Sequence, residues 1–213
     1  AYSQDRNVHV EIYEDGDTSL WYKWRMDLLE KIDHPKIQKS PTDFHFRLWT
    51  HKQFIDIWSN AENTIFSTIT SWVYGQLSVT DKRQEKLVYS FTTQLDSVQS
   101  ERLYSLIHNS RITDVPVEDS IPNWRNGFDG ITYIVEYADA SDYFFKDYWT
   151  PKAQHNVPEA ELVQQFVDSA LLFSDAAKIW INFSSQIPFE SYIQSFFNLF
   201  FKILPYFPFI IVP

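Results

Sequence analysis

The chain has 213 residues, of which 44% are hydrophobic and 18% aromatic, so it is long enough to bury one sizeable core. Its formal net charge of −10 disfavours a nucleic-acid partner, because an acidic surface repels phosphates. The sequence contains no cysteine, which excludes disulfides, thiolate nucleophiles and cysteine-ligated metal centres.

The first seven residues, AYSQDRN, are polar and lack the apolar core of a signal peptide. The first residue is Ala1 rather than an initiator methionine, a start that is typical of the mature end left after signal-peptide cleavage. The sequence therefore predicts an exported protein.

The first element predicted is a half-buried strand around Val8, Val10 and Ile12, which alternate with other residue types. Residues 19–31 fit two structures. Apolar residues recur there at helical spacing after several candidate N-caps, but apolar and polar residues also alternate as in a strand. We favour the helix slightly.

Four further strands are predicted before residue 96. The clearest is residues 44–49, where Phe44, Phe46 and Leu48 alternate with other side chains. Residues 55–57 suggest a short neighbour, and residues 64–74 and 87–95 are rich in the β-branched and aromatic types that strands favour.

The second half of the chain combines helices with a hairpin. Helices are predicted over residues 97–109, which has capping candidates and an apolar stripe, and from Pro158 onward, where Pro suits the first helical position. Between them, residues 131–137 and 143–149 predict a hairpin. Because the strands do not alternate with helices, we predict an α+β fold, an antiparallel sheet of about five to seven strands with two or three packed helices. Residues 1–186 form a single domain in this prediction.

Residues 187–213 differ from the rest, since they hold seven of the eighteen phenylalanines and four of the ten prolines. A membrane span needs roughly 20 uninterrupted apolar residues, and polar residues and prolines interrupt this shorter run, so a span is disfavoured. We expect this segment to pack on the domain or on another protein. The candidate partner-binding residues are Phe196, Phe197, Phe200, Phe201, Phe207 and Phe209.

Acidic and aromatic residues crowd the predicted hairpin, so it is the candidate ligand site. The candidate ligand-binding residues are Trp124, Asp129, Glu136, Tyr143 and Trp149. Aromatic rings could bind sugars and paired carboxylates could hydrolyse them, but aromatic rings are more often core. Glu136 lies mid-strand, which favours an ion pair with Lys146 or Arg125. Gly127 and Gly130 suggest a turn that needs positive φ.

Familiar catalytic motifs are absent from the sequence. It contains no Gly-x-Ser-x-Gly, no Gly-rich phosphate loop and no His-Glu-x-x-His. His45 and His51, or His9 with Glu11, could bind a metal, but surface histidines are the more common outcome. We therefore predict no catalytic residue, no metal and no cofactor.

Residues 85–155 contain a run of motifs in a fixed order. They are Leu95, the helix with Leu103, Leu106 and Ile107, then Pro116, Trp124, Gly127-Phe128-Asp129-Gly130, Tyr133, Glu136, Tyr143 and Tyr148-Trp149-Thr150-Pro151. This order resembles a group of small exported bacterial proteins. In that group the last motif usually reads Trp-Ser-Pro, so Thr150 departs from it. The resemblance implies export to the periplasm or cell surface of a bacterium and a single α+β domain. It brings no catalytic residue or ligand.

Together these features predict an exported accessory or binding protein without catalytic activity, a subunit or partner of a larger cell-envelope assembly. The alternative is a protein that binds or hydrolyses carbohydrate at the acidic, aromatic hairpin.

Overall fold

The structure is a computed structural model that describes residues 6–12, 18–75, 87–127, 129–188, 191–195 and 198–201. In the last two ranges it describes the backbone and, of the side chains, that of Tyr192. The strands and α-helices of these residues are β1 (Asn7–His9), α1 (Leu20–Lys31), β2 (Phe44–Trp49), β3 (Gln53–Ser59), β4 (Ile65–Gly75), β5 (Val88–Gln94), α2 (Ser97–Ser110), β6 (Thr132–Asp139), β7 (Asp142–Trp149), α3 (Pro158–Phe173), α4 (Ala176–Ser185), β8 (Ser191–Ser195) and β9 (Asn198–Phe201).

The strands form one sheet in the order β1-β7-β6-β2-β3-β4-β8-β9, and β5 pairs with the other edge of β4. Every pairing is antiparallel except that of β1 with β7, which is parallel. In this register Arg47 at the centre of β2 lies opposite Asp56 on β3 and opposite Glu136 on β6. The topology therefore brings three charged residues side by side across the middle of the sheet.

Helices cover both faces of the sheet. On one face, side chains such as Phe46, Leu48 and Val135 pack with residues of α2, α3 and α4. On the other face, Trp49, Phe54 and their neighbours pack against α1. Burial of each large apolar side chain contributes about 1.5–3 kcal/mol, so these two layers stabilise most of the fold.

The α+β class and the antiparallel sheet predicted from the sequence are confirmed. Seven strands precede residue 150, and β8 and β9 extend the sheet beyond them. The ambiguous segment after residue 19 is a helix, α1.

Two helices begin where local sequence signals place them. The Asp96 side chain accepts a hydrogen bond from the Gln99 backbone N–H at 2.8 Å, and Gln99 reciprocates, which caps α2. Pro158 opens α3. Helix α4 was not predicted, although Ala176, Ile179 and Phe183 lie at helical spacing and pack into the core.

The C-terminal strands join the sheet through backbone pairing. Tyr192 and Ile193 of β8 pair with Gly75 and Tyr74 at the end of β4, beyond Ser71, where the pairing of β4 with β3 stops. Of the candidate partner-binding residues, Phe200 and Phe201 belong to β9. The other four, Phe196, Phe197, Phe207 and Phe209, lie outside the described residues.

Candidate functional site

The five candidate ligand-binding residues of the hairpin do not meet in one site. Glu136 and Tyr143 are fully buried beneath α1. Trp124 packs against Tyr148 on the other face of the sheet, and Asp129 is exposed in the bend before β6. Of the five, Trp149 lines a cleft.

Glu136 is a structural carboxylate at the centre of a buried network. It accepts hydrogen bonds of 2.6 Å from the Trp49 indole N–H and 2.6 Å from the Tyr143 hydroxyl. Burial and the nearby Glu136 charge raise the pKa of Tyr143 well above its ordinary value, so its hydroxyl keeps its proton and remains a donor.

An ion pair with a base was correctly predicted for Glu136, but its partner is Arg47 rather than Lys146 or Arg125. Nη1 of Arg47 lies 3.5 Å from Glu136. Lys146 instead donates to two backbone carbonyls. The cross-strand register of β2 and β6 decides the partner.

Arg47 also forms an ion pair with Asp56, which extends the buried network from Glu136 to a second carboxylate. Their Nε and Oδ1 atoms lie 2.6 Å apart, and both residues are buried. Burial alone would raise the pKa of Asp56, but the Arg47 charge and hydrogen bonds from His34 and His45 hold it well below its ordinary value. Asp56 is therefore a fixed, ionised acceptor.

The Asp56 carboxylate opens into a cleft of about 530 Å³, which we call the histidine cleft. Its lining residues are His34, Pro35, Lys36, Lys39, Ser40, Pro41, Thr42, His45, Asp56, Trp58, Thr68 and Thr92. His34 Nε2 lies 2.8 Å from Asp56 Oδ2, and His45 Nε2 lies 3.3 Å from Oδ1. The expectation that His45 lies on the surface was wrong, since it is 8% exposed and held by this network.

A second cleft, of about 470 Å³, opens between the start of α1 and the β6–β7 hairpin, and we call it the tryptophan cleft. Its lining residues are Glu11, Leu20, Trp21, Trp24, Val117, Glu118, Asp119, Asn126, Gly127, Gly130, Thr132, Asp147 and Trp149. The indoles of Trp21 and Trp24 meet edge to face with centroids 5.4 Å apart. None of these lining residues is Lys, Arg or His.

Gly127 and Gly130 of the hairpin motif lie against the Trp149 indole. The sequence predicted a turn with positive φ at these glycines, and that prediction was wrong. Neither Gly127 nor Gly130 has the positive φ that was expected. A Cβ at Gly127 would lie 2.7 Å from the indole, and one at Gly130 would clash with the Thr150 hydroxyl and lie 2.9 Å from the indole. The two positions need glycine because the Trp149 ring, and at Gly130 also the Thr150 side chain, packs directly on their backbone.

Three carboxyl groups of the tryptophan cleft hold protons more tightly than usual. Burial, together with the charges of Asp147, Asp119 and Glu11, raises the pKa of Glu118 to about 8, although the Trp149 backbone N–H that it accepts opposes this. Burial and a hydrogen bond with Asp119 raise the pKa of Glu11 to about 7. Burial and the Asp119 charge raise that of Asp147 to about 6. The ionised forms of these carboxyl groups are therefore disfavoured, and the lining of the cleft contains no basic side chain that would stabilise them.

Sequence reasoning missed most of these residues. Trp21 and Trp24 lie in the segment 19–31, for which a helix was slightly favoured, and Glu118 and Asp119 lie outside the predicted elements. The available signal was the pair of acids between Pro116 and Pro122, next to the motif with the two glycines. Nothing in the sequence relates Ser40, His45 and Asp56.

Comparisons with known proteins add no assignment: no protein-family model matches the chain, and no curated protein matches it. Within the part of the chain that the structure describes, no three His, Asp or Glu side chains are placed to hold a metal ion. The described helices are all too short or too polar to cross a membrane.

Proposed function

We propose that the protein is a binding protein whose tryptophan cleft holds the cationic group of a small amine. The observation that carries this proposal is the composition of the cleft, in which three indoles and four carboxyl groups surround one cavity without a basic residue in its lining. Indole faces attract ammonium groups, and the attraction strengthens when water is displaced.

The electrostatics of the cleft favour a cation over a neutral ligand. Burial and neighbouring acidic groups raise the pKa values of Glu118, Glu11 and Asp147, and no lining residue of the cleft is a cationic partner for their ionised forms. An entering ammonium group supplies that partner and displaces the bound protons. Binding should therefore tighten as the pH rises and the carboxyl groups ionise.

Carbohydrate binding is the second candidate, because two residues of the acidic, aromatic hairpin, Asp147 and Trp149, do line the cleft. Hydrolysis is less well supported. Glu136 is buried in the network, and Glu11 and Asp119 share a hydrogen bond, whereas glycosidase carboxyl groups stand roughly 5 Å or more apart.

Calorimetric titration with propylammonium chloride tests the proposal, with propanol as the uncharged control and N-acetylglucosamine as the carbohydrate probe. We expect propylammonium alone to bind, and its Kd to fall about tenfold between pH 6 and pH 9. Trp21→Ala should raise the Kd about tenfold, through the lost cation–π contact. Trp180→Ala is the matched control, because Trp180 lies on α4, packs against Phe183 and is not part of the cleft.

Each outcome of the titration decides between the candidates. Binding of N-acetylglucosamine without propylammonium would replace the amine with a carbohydrate. Failure of both ligands to bind would remove the tryptophan cleft as a ligand site.

We further propose that this binding protein acts in the bacterial cell envelope, as its resemblance to exported proteins implies, and that its C-terminal segment contacts a protein partner there. The apolar composition of residues 187–213 supports a protein contact. Removal of residues 202–213 keeps all nine described strands, so the shortened chain should stay folded but no longer recover a specific partner from the envelope fraction. Equal recovery by both chains would show that residues 202–213, which include Phe207 and Phe209, do not form the contact.

A further inference from the structure

The histidine cleft contains a serine in hydrogen-bond contact with a histidine that is itself held by a carboxylate. Ser40 Oγ lies 3.0 Å from His45 Nδ1, and His45 Nε2 lies 3.3 Å from Asp56 Oδ1. All three residues line the cleft and are at most 8% exposed. This is the geometric relation of nucleophile, base and orienting acid that recurs on unrelated folds.

The hydrogen-bond partners fix where the protons lie. Because Asp56 is ionised and can only accept, the proton of this bond belongs to His45 Nε2. In a neutral imidazole the other nitrogen, Nδ1, then carries the lone pair, and it faces Ser40. His45 is thus set to accept the Ser40 proton, with its two nitrogens used in the opposite sense from the best-known Ser-His-Asp triad.

Asp56 is held rigidly enough to act as a positioning residue. Arg47 bonds its Oδ1 atom at 2.6 Å, and His34 bonds its Oδ2 atom at 2.8 Å. The Ser40 hydroxyl has a second neighbour, Thr42 Oγ1 at 2.9 Å, so it can rotate between a resting and a reactive direction. The cleft beside it, of about 530 Å³, has room for a small substrate.

We propose that the histidine cleft is an acyl-transfer site, in which Ser40 is the nucleophile and His45 the general base, acting on small carboxylic esters. The cleft is separate from the tryptophan cleft, and this activity would replace the expectation of a protein without catalysis. Lys39 in the lining favours esters that carry an anionic group.

Water is the only reactant that the reaction needs besides the ester. Ser40 Oγ bonds to the ester carbonyl carbon as His45 Nδ1 takes its proton, and the alcohol leaves with that proton when the original C–O bond breaks. Water then attacks the acyl-serine, His45 again moves the proton, and the acid is released with Ser40 restored.

Covalent labelling with a fluorophosphonate, followed by mass spectrometry of the peptide that contains Ser40, tests this assignment. We expect an adduct at Ser40, and a labelling rate that falls about 100-fold or more in His45→Asn, since a general base contributes at least that much. His108→Asn is the matched control, because His108 is an exposed histidine on α2 that does not line the histidine cleft. It should change the rate less than about threefold on the same scale.

A second variant keeps the test decisive if labelling of the native serine is slow. The chain has no cysteine, so Ser40→Cys introduces a single thiol. Its alkylation by iodoacetamide should also depend on His45 and not on His108. Absence of an adduct at Ser40, or equal effects of the two histidine variants on both reactions, would show that the hydrogen bonds only hold the loop in place.

Discussion

Replacing Arg47 with methionine should lower the free energy of unfolding by about 3–5 kcal/mol, the usual cost of breaking a buried ion pair from one side. The guanidinium of Arg47 is fully buried and bonds both Asp56 and Glu136. Methionine fills a similar volume but leaves the two carboxylates without a cation. The expected loss therefore comes from uncompensated charge rather than from a cavity.

Urea denaturation followed by circular dichroism measures this effect. The matched control is Asp114→Asn, which breaks the exposed pair with Arg111 and should cost less than about 1 kcal/mol. Combining Arg47→Met with Asp56→Asn and Glu136→Gln should recover most of the loss, since no buried charge then remains unpaired. A cost for Arg47→Met as small as that of the control would contradict the central role given to this network.

The free energy of unfolding should decrease as the pH rises from about 5 to 8. The pKa of Glu118 is raised to about 8 in the folded protein, where burial disfavours its charge, while in the unfolded chain it returns to its ordinary value. The folded protein therefore binds more protons than the unfolded chain in this range, and stability falls with pH. We expect a loss on the order of 2 kcal/mol, below the full value of the shift because solvent reaches the cleft.

The variant Glu118→Gln should flatten this profile and be more stable than the native chain at pH 8. An amide can still accept the Trp149 backbone hydrogen bond but carries no charge. Glu62→Gln, at an exposed position, is the control and should leave the slope unchanged. Unfolding free energies of both chains measured at pH 5, 6, 7 and 8 isolate the Glu118 contribution, because the other titrating groups of the protein, such as His51, are the same in both. A Glu118→Gln profile with the same slope as the native one would show that Glu118 is ionised at little cost.

Local signals in the sequence were sufficient to predict most of the helices and strands. Asp96 and Pro158 open helices where capping and proline rules place them, and the β6–β7 hairpin follows from alternation. These features depend on residues within one or two turns of each other. Helix α4 was missed because it follows α3 after a two-residue break at Ser174 and Asp175, without a marked cap.

The candidate sites depend on distant residues, which explains why they were not predicted. Glu136 was expected to pair along its own hairpin, yet its partner comes from β2, 89 residues away in the chain. Ser40 and His45 meet Asp56 only because β2 and β3 adopt one particular register. A shift of one strand by one residue would turn its side chains to the opposite face of the sheet, and the hydrogen bond between His45 and Asp56 would be lost.

Arg6, just before β1, connects the edge of the sheet to the segment that lines the histidine cleft. Its guanidinium donates to the carbonyls of Ser40 and Thr42 at 2.7 Å each, beside the histidine cleft, and to that of Asp139. A few residues later Glu11 lines the tryptophan cleft. The docking closes a loop of more than 130 residues, and the edge strand has three residues, so we expect this segment to open at a lower free energy than the central strands. Its release would remove the Arg6 contacts beside the histidine cleft and Glu11 from the tryptophan cleft in the same step.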